Sequence, residues 1–272
     1  MMSRSFRYTR AIPGANRLQA PAGQLDVPSL IHLRESELEE ARNLQLSLLP
    51  NAPLRVTSAE FTSRFRAAAA VGGDFLDYFH LSDNRIGIYL GDVVGKGLSA
   101  AMYAALTVGT LRGIHKTGCP PMTVLSTLNR RLRTRAVQGR YSAVQYAVYD
   151  PETRELLYAN AGLPRPIHFS NGSCHEVGQG GLPSGLFDEA QYEQYSVILE
   201  PGDALLFLTD GLIEAHDAAR EEFGTSRVME ICKKYLHSSA EDLLGRLFSA
   251  VEEFSGHTAP QDDITAALLR AS

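Results

Sequence analysis

The run from Arg85 to Ala101, RIGIYLGDVVGKGLSAA, narrows the choice of fold more than any other stretch of the chain. Ile86, Ile88 and Leu90 alternate with Gly87 and Tyr89, the period of two that marks a strand. Gly91, Gly95 and Gly97 then punctuate a turn. From Leu98 to about Lys116 the composition is rich in Ala, Leu and Met and predicts a helix packed close to the sheet. Asp92 ends the strand, where a rigid element can aim a carboxylate. The turn is not a nucleotide-binding P-loop. Three residues, not four, separate Gly91 from Gly95, and Gly97 follows Lys96 where Ser or Thr is required. Taken alone, it is a tight strand-to-helix turn with a solvated aspartate.

Other acidic junctions change that reading. Gly72-Gly73-Asp74-Phe75-Leu76-Asp77 precedes the strand. Leu206-Phe207-Leu208-Thr209-Asp210-Gly211 ends a second apolar strand, and Gln261-Asp262-Asp263-Ile264-Thr265 opens a last one. Aspartate is depleted in strands, so its recurrence at strand edges suggests that these junctions meet at one site.

The rest of the chain supplies the frame. Residues 1–28 lack a hydrophobic period and read as a flexible segment. A helix is expected over 29–49, with Leu38, Ala41, Leu44 and Leu48 as its apolar stripe, ended by Pro50 and a linker to residue 53. Strands are expected at 61–66, 75–81, 86–90, 142–149, 155–160, 195–199, 204–208 and 264–269, with Ser82-Asp83-Asn84 and Asp150-Pro151-Glu152-Thr153 as turns. Helices are expected at 122–137, 226–236 and 240–254. Asn160-Ala161-Gly162 leads into the irregular Leu163-Pro164-Arg165-Pro166, and residues 178–185 form a further loop. Hairpins dominate and regular βαβ alternation is missing. The expected fold is therefore α+β: two stacked antiparallel sheets with helix pairs on their outer faces.

Composition removes several classes of function. A formal charge of −5 leaves no basic footprint for nucleic acid. The cluster Arg130, Arg131, Arg133 and Arg135 reads as a solvated helix face. Cys119, Cys174 and Cys232 are odd in number and far apart, which argues against a disulfide framework or a structural zinc site and suits a reducing cytoplasm. No apolar run reaches the length of a membrane span. Clustered aspartates without His or Cys make a hard, oxygen-rich site that selects Mg²⁺ or Mn²⁺. One or two such ions would relieve the repulsion among the carboxylates. They would also activate a water toward a phosphate ester. No covalent nucleophile motif is present.

The ordered set VGGDFLD, GDVVGKG, NAG, LPSG, PGD, FLTDG and QDDIT resembles the metal-dependent protein phosphatase family (type 2C-like). Its bacterial SpoIIE/RsbU-like branch acts on anti-anti-sigma factors. The resemblance runs from about Ala41 to Leu269. It implies a four-layer α-β-β-α sandwich over residues 54–272, with residues 29–53 as a regulatory and linker helix. It also implies a centre of two Mn²⁺ or Mg²⁺ ions, held by Asp74, Asp92, the carbonyl of Val93, Asp210 and Asp262, with Asp92 bridging. Asp77 and Asp263 would support those ligands or hold a weaker ion; a surface or turn-capping carboxylate is an equal reading for both. Lys96 would lie near substrate phosphate, its simpler reading being a solvated turn lysine. Leu163 stands where the family commonly has His, and no phosphate-binding Arg can be assigned.

The implied function is a protein serine/threonine phosphatase acting on a phosphorylated anti-anti-sigma-type regulator through a metal-activated water. A pseudophosphatase binding module and a small phosphate-ester hydrolase are the alternatives. A homodimer through residues 29–49 is a further expectation.

Overall fold

The computed structural model describes residues 27–81, 83–115, 119–256 and 260–272. The expected flexible segment, apart from residues 27 and 28, lies outside them, as do Lys116 and Ser82. The chain divides into two compact units, Met1–Ser36 and Glu37–Ser272. The boundary falls inside helix α1, Val27–Leu46.

Among the described residues, eleven strands form two antiparallel sheets. The six-stranded sheet has the order β1 (Leu54–Val56), β2 (Ala59–Arg66), β11 (Ile264–Ala271), β10 (Ala204–Leu208), β7 (Ile167–Ser170) and β8 (Ser173–Glu176). The five-stranded sheet runs β3 (Phe75–His80), β4 (Ile86–Val93), β5 (Ser142–Tyr149), β6 (Glu155–Ala161) and β9 (Gln194–Ile198). Helices α2 (Leu98–Ile114) and α3 (Pro121–Thr134) cover the five-stranded sheet. The short α4 (Asp210–Ile213) with α5 (Gly224–Tyr235) and α6 (Ala240–Phe254) covers the other.

Side-chain alternation builds the layers. Ile86, Ile88 and Leu90 face the core between the sheets with Leu205, Phe207, Ala267 and Leu269. Tyr89 and Val93 face α2 and α3, while Leu206, Ala266 and Leu268 face α5 and α6. Both faces of β4, β10 and β11 are thus buried, which is why these strands read as nearly continuous apolar runs. Gly91 makes room for a neighbour: it pairs with Phe75, whose ring lies 2.1 Å from where a Cβ would be.

Several expected details shift. α1 ends at Leu46, and its expected stripe holds only in part: Ala41 and Leu48 are half-buried, whereas Leu38 is 37% and Leu44 70% exposed. Gln45 turns inward beside them because it hydrogen-bonds the backbone of Gly72. α3 stops at Thr134 rather than continuing to Val137. β1 begins immediately after the Pro50–Pro53 linker. β1, β7, β8 and α4 were not expected; each has only three or four residues, too few to show a period. Cys119, Cys174 and Cys232 form no disulfide. Among the described residues no helix is long and apolar enough to cross a membrane.

Candidate metal centre

The acidic junctions meet at the seam between the two sheets. Asp74 enters from the loop before β3 and is 1% exposed. Its Oδ2 accepts hydrogen bonds from Thr209 Oγ1 (2.9 Å) and from Thr265 Oγ1, at the ends of β10 and β11. A carboxylate attached to one sheet is therefore held by hydroxyls of the other. Thr209 and Thr265 also lock to each other: Thr265 N donates to Thr209 Oγ1 (3.0 Å) and Thr209 N to Thr265 O (3.0 Å).

Asp263, also buried, supports the Asp74 loop. Its two carboxylate oxygens accept from Ala68 N (2.8 Å) and Asp74 N (3.2 Å). Gly72 and Gly73 permit this approach. A Cβ on Gly72 would lie 1.7 Å from Asp263 Oδ2, and one on Gly73 would lie 2.7 Å from the Val93 carbonyl oxygen and 3.0 Å from Asp92 Oδ1. The Val93 carbonyl and Asp92 thus flank the loop that carries Asp74. Arg140 braces the β4–α2 turn behind them, donating to Val94 O (2.5 Å) and Ser99 Oγ (2.7 Å).

Asp210 opens α4, its Oδ1 accepting from Gly211 N (2.9 Å). Asp262 Oδ1 accepts from Asp263 N (2.9 Å). Lys96 is not a free turn lysine: its Nζ donates to the Gln261 carbonyl and lies 3.7 Å from Asp262 Oδ2.

The electrostatics are those of uncompensated negative charge. Burial, followed by the charges of Asp92 and Asp263, raises the Asp74 carboxyl well above its usual range despite the two threonine hydrogen bonds. Asp92 is pushed up to about 7, first by burial and then by Asp210. Asp210 is raised by burial and by Asp262. Glu214, one turn beyond Asp210 and absent from the sequence reading, is raised by burial and by Asp210.

This donor set fits a hard divalent cation in chemistry: carboxylates, a carbonyl and buried charge that a cation would neutralise. Its members are placed as neighbours rather than as a closed shell. Among the described residues no three His, Cys, Asp or Glu side chains close around one point.

Asp77 is not brought to the seam. It faces α2, where Arg112 holds it at 2.9 Å. Leu163 is buried in the core, its backbone N and O held by the Asn160 side chain (3.0 and 2.9 Å). Thr209 and Thr265 were visible in the sequence within FLTDG and QDDIT, and their adjacency to Asp210 and Asp263 was the available signal.

Beside the cluster a cleft of about 130 Å³ is lined by Arg66, Lys96, Gly211, Glu214, His216, Glu252, Gln261 and Asp262, among others.

Two stacked antiparallel sheets between helix layers, with aspartates at one seam, define the fold of the PP2C-type protein serine/threonine phosphatases. The chain belongs to the family described as stage II sporulation protein E (SpoIIE), which matches residues 82–272. It is 26% identical over 246 residues to the phosphoserine phosphatase RsbU of Bacillus subtilis, covering 87% of this chain and 70% of RsbU. It spans only 35% and 45% of two other curated relatives. Among solved structures it superposes on the SiaA PP2C domain of Pseudomonas aeruginosa with a TM-score of 0.80 at 20% identity, over 90% of this chain and 99% of that one. RsbX, solved in complex with magnesium, aligns with a TM-score of 0.61 at 15% identity, over 81% of this chain and 99% of that one.

Proposed function

We propose that this chain is a cytoplasmic, metal-dependent phosphatase that hydrolyses phosphoserine or phosphothreonine on a protein. The observation that carries the proposal is the set of buried, mutually repelling carboxylates at the sheet seam. Asp74, Asp92, Asp210, Asp262 and the Val93 carbonyl would hold two Mn²⁺ or Mg²⁺ ions, a choice supported by the magnesium complex of RsbX. Ions bound there supply Lewis-acid polarisation of a phosphoryl oxygen and a lowered pKa for attacking water. The remaining work belongs to the chain. Thr209 and Thr265 orient Asp74, Asp263 fixes the loop before it, and Lys96 restrains the segment carrying Asp262. The name of RsbU supports a phosphoserine substrate, and we assign it to a phosphorylated regulator of the anti-anti-sigma type.

One observation favours a second reading, a binding protein without turnover: the carboxylates do not close around one point. Release of phosphate from a phosphoserine peptide and from p-nitrophenyl phosphate, with and without manganese, separates the two. Metal-dependent turnover that Asp210→Asn removes supports the phosphatase. Metal binding with no turnover on either substrate supports the binding protein.

We further propose that residues 29–53 regulate the phosphatase, residues 54–272, and that 29–49 form a homodimer contact. Leu30, Ile31, Leu33, Leu38, Leu44 and Leu46 are all exposed on α1, an apolar surface that a second copy would cover. Gln45 links that helix to the loop bearing Asp74. Sedimentation of the chain across a concentration series tests the contact; a monomer throughout would remove it.

A further inference from the structure

The seam has two rims of unlike charge. On the side of the six-stranded sheet the cleft carries Glu214, Glu252 and Asp262, and its Arg66 and Lys96 already face Glu252 and Asp262. On the side of the five-stranded sheet the chain is basic. From Pro121 to Arg140 there is no acidic residue, and Arg130, Arg131, Arg133, Arg135 and Arg140 crowd the second half of that stretch. Topology brings it to the seam. α3 leads into β5, whose first residue, Ser142, pairs with Val93 at the end of β4. The end of α3 and residues 135–141 therefore lie at the same end of the sheet as Asp92. Arg133 is paired with Asp188 (2.7 Å), and Arg140 braces the β4–α2 turn. Arg130, Arg131 and Arg135 are exposed, and among the described residues none of them is in an ion pair.

The same rim holds apolar side chains in the open. Leu182, Leu186 and Phe187 are 46%, 39% and 46% exposed, and Val137 is exposed as well. The loop that carries the first three is firmly held. Ser184 pairs with Ser142 through both backbone groups (2.9 and 2.8 Å). The Asn129 side chain, on α3, accepts from Gly185 N (2.7 Å) and donates to Phe187 O (2.9 Å). Apolar anchors on a rigid backbone, fringed by arginines without partners, have the composition of a protein-docking surface and cost little ordering entropy when they bind.

We propose that this rim is where the phosphoprotein substrate docks, and that the substrate presents an apolar side chain among carboxylates beside its phosphoserine. The proposal rests on the phosphatase reading and adds the class of substrate that the site selects. Charge sets the direction of docking. An acidic flank is repelled by Glu214 and Glu252 and drawn to the arginines of α3, so the phosphoserine reaches the seam from the five-stranded side.

The test uses the full chain with saturating manganese and short phosphoserine peptides that differ only in their flanks. An acidic peptide carries Leu and Glu, a basic one Leu and Lys, and a neutral one Ser and Gly. The control is p-nitrophenyl phosphate, too small to reach the rim. Wild type should favour the acidic peptide over the neutral one about tenfold in kcat/KM, chiefly through KM. Raising salt from about 50 mM to about 500 mM should erase most of the discrimination between acidic and basic flanks. Arg130→Glu combined with Arg135→Glu should lower kcat/KM on the acidic peptide about tenfold and reverse its ranking against the basic one. Phe187→Ser should raise KM about fivefold for both leucine-bearing peptides. Every variant should turn over p-nitrophenyl phosphate within about twofold of wild type.

Arginines near a helix C-terminus also suit its dipole. A merely structural role would lower the melting temperature and the turnover of all substrates together, and that outcome overturns the proposal. A wild type that ranks the peptides equally overturns it too. So does a rim whose variants abolish self-association, or binding to phosphatidylglycerol vesicles, while peptide KM stays unchanged. If wild type turns over no substrate, the phosphatase reading falls, and fluorescence anisotropy of the labelled acidic peptide decides on the rim. Tighter binding to wild type than to the double arginine variant supports docking; equal binding refutes it.

Discussion

Asp74 and Asp77 are three residues apart, yet the structure sends them into opposite surroundings. Asp77 shares the outer face of β3 with Phe75 and Phe79, against α2. There its Oδ2 accepts from Arg112 (2.9 Å) and from Tyr89 OH (3.2 Å). Asp74 sits at the seam, where two threonine hydroxyls are its donors and its charged neighbours are Asp92 and Asp263. The first carboxylate has its own cation and contributes to the fold of the chain by itself. The second belongs to a group whose charge the chain leaves uncompensated, at a cost to its own stability. A fold tolerates such a cost where a ligand will repay it, so the contrast separates scaffold from site more clearly than burial does.

The largest effect should come from the seam. Asp92→Asn removes charge and keeps shape. It should lower metal-dependent phosphatase turnover more than about 100-fold, the scale of losing a group that acts on the transition state. The same substitution relieves repulsion, so the metal-free protein should melt at a temperature equal to or above that of wild type. Retained turnover, or a clear drop in melting temperature, would place Asp92 with the scaffold carboxylates and erase the contrast.

The pH dependence of stability should come next. Burial and the neighbouring carboxylates push the folded Asp92 up to about 7 against 3.8 for an ordinary aspartate, and Asp74 is raised in the same direction. Between those values the folded chain holds protons that the unfolded chain has released, so stability falls as pH rises. Metal-free protein should therefore lose on the order of 2 kcal/mol between pH 5 and pH 7.5, a few degrees in melting temperature. Saturating manganese should remove the loss at the upper end, and Asp92→Asn should flatten the slope. A melting temperature that rises with pH in metal-free wild type would contradict the assignment of repulsion to the seam.

On the α2 side the expected signs reverse. Arg112→Met leaves Asp77 with Tyr89 as its remaining donor and should cost about 1 kcal/mol, since the pair is partly exposed. That corresponds to about 3 °C in melting temperature. Turnover per folded molecule, measured at saturating manganese, should stay within about twofold of wild type. A larger loss of turnover would mean that Asp77 communicates with the seam, and the two regions would no longer be independent.

The sequence displayed the strands that bury both faces, because Ile86-Gly87-Ile88-Tyr89-Leu90 and Ala204 to Leu208 leave little else for those residues to form. It also displayed the aspartates at strand ends. It did not reveal which partner each aspartate would find. Arg112 reaches Asp77 from a helix that begins more than twenty residues later, and only the packing of α2 on β3 brings them together. The same holds for Arg66 and Glu252, brought together by the packing of α6 on the six-stranded sheet. In α1 the apolar period pointed to Leu38 and Leu44, while the structure turns Gln45 inward. A polar residue that satisfies buried backbone groups is invisible to a hydrophobic pattern.

Gln45 gives the smallest and most discriminating prediction, because it touches the seam without belonging to it. Its Nε2 donates to the carbonyls of Gly72 (2.9 Å) and Asp74 (3.4 Å), and its Oε1 accepts from Gly72 N (3.0 Å). The helix thereby fixes the backbone from which Asp74 projects. Gln45→Leu keeps the bulk and leaves the Gly72 N–H and C=O without this partner, a loss of about 1 kcal/mol, close to that expected for Arg112→Met. The two variants should nevertheless differ in metal response. With its loop loosened, Asp74 pays an added ordering cost when a cation binds, so Gln45→Leu should raise the manganese concentration for half-activation about threefold, with kcat at saturation nearly unchanged. Arg112→Met, equally destabilised, should leave that midpoint in place. If both variants shift it together, the midpoint follows global stability, and α1 has no separate hold on the site. If neither shifts it, the Gln45 hydrogen bonds serve only to satisfy buried backbone, and regulation through this helix would need another route.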